Sequence, residues 1–435
     1  MIEVRAEAEG RPRRALLIGV QYPEDDPSSI SEQLAELAEL VGNLRMIPLA
    51  PEIIRVRETH SRYLTGSGRA EEVAQMAQEC EAEVLVFDCR LSPSQQRNWE
   101  RLTQAVIMDR EEVILDIFSR RAQSRAAVLQ VELARAQYYL PRLTRAWTHL
   151  SRQHGGGATT RGEGEAQIET DRRLLKRRIQ QLHKELEEVS RHRDTQRKAR
   201  LRRPVVQGAI VGYTNVGKSS LLAALSGTEQ FIKDQLFATL DPTARRIRLP
   251  GRREVVLTDT VGFVRKLPHT LVEAFKSTLE EAVLSDFLLL VLDASSAQVE
   301  QEWETTMSVL RELGAESKKI QIVFNKMDLV NEELDVFRMA RLHSEFPDAI
   351  YLSTKTGKGL DVLQQRLSEF ASSARNLIRV VLPPARHDLA ALAHAEGQVY
   401  EEEYDDAGNL FLVFSINEKF RHKYTEYEHE NQNKA

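Results

Sequence analysis

The stretch VVQGAIV-GYTNVGKSS-LLAALSG, residues 205–227, constrains this chain more than any other. An apolar run of strand character leads into the pattern G-x-x-x-x-G-K-[ST], and a helix-forming run ended by Gly227 follows. Strand, glycine-rich loop and helix in that order are what a phosphate-binding loop requires. Consecutive backbone N–H groups converge on an anion there, and the helix N-terminus adds its positive end. The surrounding domain is therefore expected to be an open, mostly parallel sheet flanked by helices. Gly212, Tyr213, Thr214, Asn215, Val216 and Gly217 are expected to wrap the phosphates. Lys218 would reach the β- and γ-oxygens, and the Ser219 hydroxyl, followed by Ser220, would ligate Mg²⁺.

Three further elements follow in order. EVVLTDTVGF (254–263) is an apolar strand running into D-x-x-G. Asp259 is expected to hold the magnesium shell through water, followed by Thr260 and Val261, with the Gly262 amide sensing the γ-phosphate. IVFNKMD (322–328) is a strand running into N-K-x-D. A carboxylate at Asp328 can accept both the N1 and the exocyclic N2 protons of guanine, a pair adenine lacks. Asn325, Lys326 and Met327 complete that expected base pocket. AIYLSTK (349–355) brings Ser353, Thr354 and Lys355 to a further strand end, facing guanine O6. All sit at carboxyl ends of strands, where open α/β sheets bind ligands. The nucleotide read from these residues is GTP, with GDP as product.

QLFATLDPT (235–243) lies where a mobile switch would order around the γ-phosphate. Phe237, Ala238, Thr239 and Leu240 are its expected nucleotide contacts. Thr239 is the expected magnesium-sensing hydroxyl, with Thr243 the alternate. Lys218, Thr239 and Gly262 form the expected catalytic set, and Ser219 and Thr239 the metal ligands. Ras-type switches carry a glutamine after D-x-x-G to orient the attacking water; here the residue is Phe263. A phenyl ring cannot make that hydrogen bond, so intrinsic turnover should be slow and the water held by another group or a partner. Asn215 resembles the phosphate loops of potassium-activated GTPases, which adds K⁺ to the candidate cofactors.

With 435 residues the chain exceeds one compact core. Residues 12–115 alternate short apolar runs (ALLIGV, RMIPLA, EVLVFD, AVIMDR) with helical patterns, which reads as an α/β domain over 1–115. Its LTGSG loop (64–68) ahead of a helix reads as a glycine-rich turn rather than an anion site. In 116–203, Leu129, Leu133, Ala136, Leu140, Leu143, Trp147 and Leu150 make a heptad seam, and Leu175, Ile179, Leu182, Leu186 and Val189 a second. Between them lies GGGATTRGEGEAQIET, which should interrupt any helix. An antiparallel coiled-coil hairpin with a glycine-rich tip at 155–165 is expected, with Pro141 marking a joint. Residues 204–373 form the expected P-loop GTPase domain and 374–435 a small α+β domain. His387 and His394, two helical turns apart there, are too distant to share a metal.

Charge separates these pieces. The whole chain has 60 Lys and Arg against 65 Asp and Glu, which excludes a general polyanion binder. From residue 171 to 203, however, thirteen Lys and Arg accompany five Asp and Glu. A one-signed basic helix beside an exposed tip carrying Arg161 is what a nucleic-acid-facing arm looks like. A hairpin docking a protein partner in a GTP-regulated switch is the alternative, although no lipidation signal accompanies it. The longest greasy run, FLLLVL (287–292), is too short to span a bilayer, and the first residues lack an apolar leader core. Cys80 and Cys89 lack metal spacing and read as buried thiols of a reducing compartment. The expected location is the cytoplasm, without membrane contact. The seam is consumed within the chain, which favours a monomer.

GYTNVGKSSL, FATLDPT, DTVGFVRKLPHTLVEAFKSTLEE and FNKMD together resemble the HflX family of translational GTPases. The likeness extends to GEGEAQIETDRRLLKRRI and LTGSGRAEEVA, nearly the whole chain. The family pattern has Pro and Thr in the hairpin tip where this chain has Glu163 and Ala166, a departure that adds negative charge there. The resemblance implies a cytoplasmic GTPase that binds the large ribosomal subunit and its rRNA. Its helical arm would reach towards the peptidyl-transferase region, and its GTP form would split stalled or idle ribosomes.

Overall fold

The computed structural model describes residues 11–145, 161–201, 205–227, 237, 239–250, 253–266, 283–331, 333, 335–373, 377–405, 408–416 and 418–428. Two units are distinguished: Met1–Leu186 with Gln235–Phe237 and Arg265–Phe275, and Glu187–Asp234 with Ala238–Val264 and Lys276–Ala435.

In the first unit, β1 (Arg14–Gln21), β2 (Ile47–Pro48), β3 (Glu52–Arg55), β4 (Val84–Phe87) and β5 (Val106–Asp109) form a parallel sheet. β2 and β3 both pair with β1, which continues to β4 and β5. Ala15 to Ile18 and Val84 to Phe87 are buried throughout, as expected of parallel strands covered on both faces. RMIPLA yields only the two-residue β2, and the strand EIIR follows it. Pro48 and Pro51 lack the N–H a longer ladder needs.

Helices α1 (Pro27–Asn43), α2 (Ser67–Glu79) and α3 (Pro93–Thr103) alternate with these strands. α3 opens on a capping box: Ser92 Oγ accepts from the Gln95 amide, Gln95 reaches back, and Pro93 begins the first turn. α4 (Arg110–Arg121) starts where Asp109 caps the Glu112 amide, so a boundary at 115/116 falls inside a helix. Cys80 and Cys89 are free and half-buried, and burial pushes the Cys89 thiol up to about 12.

α5 (Arg125–Tyr139) carries the first seam only to Ala136. The expected joint is present: the helix stops before Pro141, which has no N–H to donate, and Leu140–Arg145 tightens to a 3₁₀ turn. Arg142 anchors that turn. Its guanidinium, 3.7 Å from the Tyr138 ring, bonds Asp109 (3.2 Å), Leu91 O (2.8 Å), Tyr138 O (3.1 Å) and Gln96 (3.1 Å). A buried cation of this kind is tolerated because its donors are paired, and removing one partner typically costs about 3–5 kcal/mol.

α6 (Arg161–Leu201) corrects the second half of the expected glycine break, for the helix runs through Gly162 and Gly164, while Gly155 to Gly157 lie outside the described residues. Each glycine costs about 1 kcal/mol, but extending an existing helix adds one hydrogen bond per residue fixed. Its 41 residues span about 60 Å. Leu182 is buried and Leu175, Ile179, Leu186 and Val189 are half-buried, so the second seam is the covered side. Arg178 forks onto Glu132 of α5 at 2.9 and 2.8 Å. Arg172, Arg173, Lys176 and Arg177 are exposed. Trp147, Leu150 and residues 155–160 of the expected tip lie outside the described residues.

The second unit holds the expected mostly parallel sheet. Its strands are β6 (Val206–Gly212), β7 (Thr243–Leu249), β8 (Arg253–Asp259), β9 (Phe287–Asp293), β10 (Lys319–Asn325) and β11 (Ile350–Tyr351), ordered β11-β10-β9-β6-β8-β7. Only the β7–β8 pair is antiparallel. Phe287 to Leu292 are all buried, and FLLLVL is one of the two middle strands; each such side chain contributes about 1.5–3 kcal/mol. Register brings Gly212 beside Val291, Ile210 beside Asp259, and Asn325 beside Asp293. The motif residues therefore share one end of the sheet.

At the chain's end, β12 (Leu377–Leu382), β14 (Leu410–Ile416) and β13 (Gly397–Tyr404) form an antiparallel sheet in that order. Together with the helix His387–Glu396, the sheet encloses its own core of Ile378, Val380, Leu389, Leu412, Phe414 and Tyr424. His394 pairs with Glu402 at 3.2 Å. No helix among the described residues is long and apolar enough to cross a membrane.

Candidate nucleotide site

β6 delivers the chain into the loop at Gly212, and α7 (Lys218–Ser226) leaves it. Asn215 and Gly217 adopt positive φ (61° and 91°). A side chain at Gly217 would run into Asn325 Nδ2, so glycine is required for contact as well as conformation. The D-x-x-G segment is hydrogen-bonded onto this loop. The Phe263 amide donates to Gly212 O (3.1 Å) and the Thr214 amide to Phe263 O (2.8 Å). Phe263 itself is buried, and it is its backbone that meets the loop.

Lys218 is buried and donates to Tyr213 O (2.6 Å) and Gly212 O (3.2 Å). Desolvation pulls its pKa down to about 8, against the opposing pull of the Asp259 carboxylate. Asp259 is held above the usual carboxylate range by burial, with Lys218, Ser219 and Thr239 pulling the other way. Three oxygens converge here. Ser219 Oγ and Thr239 Oγ1 donate to Asp259 Oδ2 at 2.6 and 2.8 Å and lie 2.8 Å from each other. Asp259 Oδ1 is buried without a partner among the described residues. Hard oxygen donors clustered this closely, one carboxylate oxygen left over, suit a small divalent cation.

At the base end, Ser353 Oγ donates to Asp328 Oδ1 (2.6 Å), and exposed Lys355 lies 4.0 Å from Asp328 Oδ2. The Met327 amide bonds Leu352 O, joining the two loops (3.2 Å). Asn325 differs from expectation. Its Nδ2 donates to Val216 O (2.9 Å) and its Oδ1 accepts from the Thr354 amide (3.1 Å). It ties three loops together rather than lining the base pocket. Asp293, which the motifs did not single out, pairs with Lys326 Nζ at 2.7 Å and is itself held by Ser295 Oγ (2.6 Å). The only sequence signal was an acidic residue ending a buried strand.

Other expected contacts are placed elsewhere. Phe237 is buried with its ring 4.6 Å, edge-on, from that of Phe118, so its side chain belongs to the first unit's core. Thr260 Oγ1 donates to Ile210 O (2.7 Å), a tie to β6. Val261 and Leu240 are buried apolar neighbours of the motif, and Ser220 is half-buried on α7. Ala238 lies outside the described residues.

Three family profiles cover most of the chain: a GTP-binding GTPase N-terminal region over 31–119, a GTP-binding GTPase middle region over 121–200, and a 50S ribosome-binding GTPase over 207–326. GTPase HflX of Akkermansia muciniphila is 49% identical over 421 residues, covering 94% of this chain and 95% of its own. GTPase HflX of Escherichia coli K12 is 39% identical over 401 residues, 92% of each. Among solved structures, the complex of SsGBP with GDP covers 83% of this chain and 99% of its own at 25% identity, with a TM-score of 0.47.

Proposed function

This chain belongs to the HflX family of GTPases, and from that premise we propose that it binds the large ribosomal subunit in its GTP form and dissociates stalled or idle ribosomes. Hydrolysis then resets the factor. The observation that carries this reading is the basic helix α6, whose exposed Arg172, Arg173, Lys176 and Arg177 offer a phosphate-binding face outside the nucleotide site. The profile over 207–326, described as a 50S ribosome-binding GTPase, supports the same partner.

In this account the chain works as four pieces: an α/β domain through α4, a basic helical arm from there to 203, the GTPase domain over 204–373 and the small terminal domain over 374–435. The protein acts in the cytoplasm as a monomer. Asp328, oriented by Ser353, selects guanine. Lys218 neutralises the β- and γ-phosphates, and the Gly262 amide reports the γ-phosphate to the segments 235–243 and 259–268, which present the ribosome-binding surface. Ser219 and Thr239 hold Mg²⁺ with Asp259 behind them. When bound, the ion spreads the charge that develops on the phosphate oxygens. Asn215, which sits on a positive-φ turn, would offer its side-chain carbonyl to K⁺ beside the phosphates.

Turnover measured with and without purified large subunits, in potassium and in sodium buffer, tests this. Large subunits are expected to raise the slow intrinsic rate at least about tenfold, partner-supplied groups being worth 10³–10⁵ in related switches. Potassium should exceed sodium. An unchanged rate, with no subunit binding in parallel, would remove the ribosome from the account.

A further inference from the structure

Phe263 leaves the site without the glutamine that orients the attacking water in Ras-type switches, and its backbone is committed to the phosphate loop. We infer that Thr214 takes that role: its hydroxyl holds the attacking water against the γ-phosphoryl group.

Thr214 is only 5% exposed, and its Oγ1 is buried without a hydrogen-bond partner among the described residues. Buried hydroxyls are ordinarily paired, because one left alone forfeits its hydration for nothing. The neighbouring hydroxyls obey that rule. Ser219 and Thr239 bond Asp259, Thr260 bonds Ile210 O, and Ser353 bonds Asp328. Packing alone would be served as well by valine, which has the same shape.

Its position matters as much as its lack of a partner. A β-carbon built on Gly262 would lie 2.7 Å from Thr214 Cγ2, 2.8 Å from Thr214 Cα and 2.8 Å from Lys218 Nζ. The bare α-carbon of Gly262 therefore faces Thr214 and the Lys218 ammonium together. Lys218 and the Gly262 amide are the groups assigned to the γ-phosphate, so Thr214 stands at that end of the loop. The 2.8 Å bond from its amide to Phe263 O fixes its backbone, and β-branching restricts its χ1. A hydroxyl held this firmly beside Lys218 can orient a water before the reaction begins.

In the step itself, the water oxygen forms the new bond to phosphorus, and the bond from phosphorus to the β–γ bridging oxygen breaks with its electron pair leaving on GDP. The water's proton passes to a γ-phosphate oxygen. Thr214 accepts a hydrogen bond from the water and donates its own to a γ-oxygen, and it neither gains nor loses a proton overall. This assignment needs only the GTPase activity, and it stands whether or not the ribosome is the partner.

Single-turnover GTP hydrolysis, measured beside GTP and GDP affinity, compares wild type with Thr214→Val and Thr214→Ser. The valine protein is expected to bind both nucleotides within about 3-fold of wild type while hydrolysing bound GTP on the order of 100-fold more slowly, the scale of removing one positioned donor. The serine protein should recover to within about 5-fold. Hydrolysis by Thr214→Val at the wild-type rate overturns the assignment. So does an equal slowing of the valine and serine proteins, which would point to the methyl group. Weakened affinity for both nucleotides with an unchanged rate in the bound complex also contradicts it. If circular dichroism shows Thr214→Val unfolded, Thr214→Ala against Thr214→Ser makes the same comparison, and equal rates for those two reject the hydroxyl.

Discussion

Lys218→Ala protein is expected to bind GTP at least about 100-fold more weakly than wild type, since the charge-assisted bonds lost are worth about 1.5–3 kcal/mol each. The buried ammonium sits within the loop, bonded to the Gly212 and Tyr213 carbonyls. Its lowered pKa of about 8 adds a signature that an ordinary surface lysine lacks. Phosphate oxygens favour the charged form, so the complex holds a proton that free protein sheds as pH rises through about 8. GTP affinity should therefore fall above that pH, by up to about tenfold per unit. Folding stability responds with the opposite sign. The unfolded lysine, near its ordinary 10.5, binds more protons than the folded one between about pH 8 and that value, so Lys218 makes nucleotide-free protein more stable as pH rises through the window. Calorimetric titration with GTP from pH 7 to 9.5 checks the first slope, and both contributions should vanish in Lys218→Ala. A pH-independent affinity in wild type would show that Lys218 does not carry the phosphate charge.

Asp328→Asn should change which base the protein accepts. The carboxylate is buried on one side by Ser353, which donates to Oδ1. It has acceptors for two guanine protons, whereas an amide has one acceptor and one donor. Guanine would then meet its exocyclic amine with an NH₂ group, leaving both unpaired in a confined site. Losing a designed hydrogen-bond match costs about 10⁴–10⁵ in discrimination where water is excluded, and about 10³ is expected here because exposed Lys355 shows the pocket open on one side. Xanthine carries a carbonyl where guanine carries the amine, so XTP affinity should rise as GTP affinity falls. Competition between the two nucleotides measures it. Equal loss of both would mean that Asp328 supports the loop without reading the base.

Local chemistry was legible from sequence where one residue's own backbone decides it. The phosphate loop and the Pro141 joint each depend on neighbours within a few positions. The middle strand FLLLVL and the terminal strand LFLVFSI were both legible as apolar runs. What escaped is set by partners distant in the chain. Phe237 looked like a switch residue, yet its ring is claimed by Phe118, well over a hundred positions earlier. Asn325 belongs to a guanine motif, but its amide is consumed by Val216 and Thr354. Asp293 carries no motif signal, and Thr214 was expected only to help wrap the phosphates: a carboxylate pinning Lys326 and a hydroxyl without a partner among the described residues become visible only in the folded chain. The helix through Gly162 and Gly164 shows the reverse case, a local penalty overridden by a helix extending from Glu165 onward.

The central claim, that GTP commands attachment to the large ribosomal subunit through a basic arm, is tested most directly by co-sedimentation. Protein is mixed with purified large subunits and a non-hydrolysable GTP analogue, GDP or no nucleotide, at about 50 mM and about 200 mM monovalent salt. The account predicts pelleting with the analogue at low salt, release with GDP, and a steep loss at the higher salt as phosphate counterions compete. Pelleting that ignores both nucleotide and salt, or none in any lane, would contradict it.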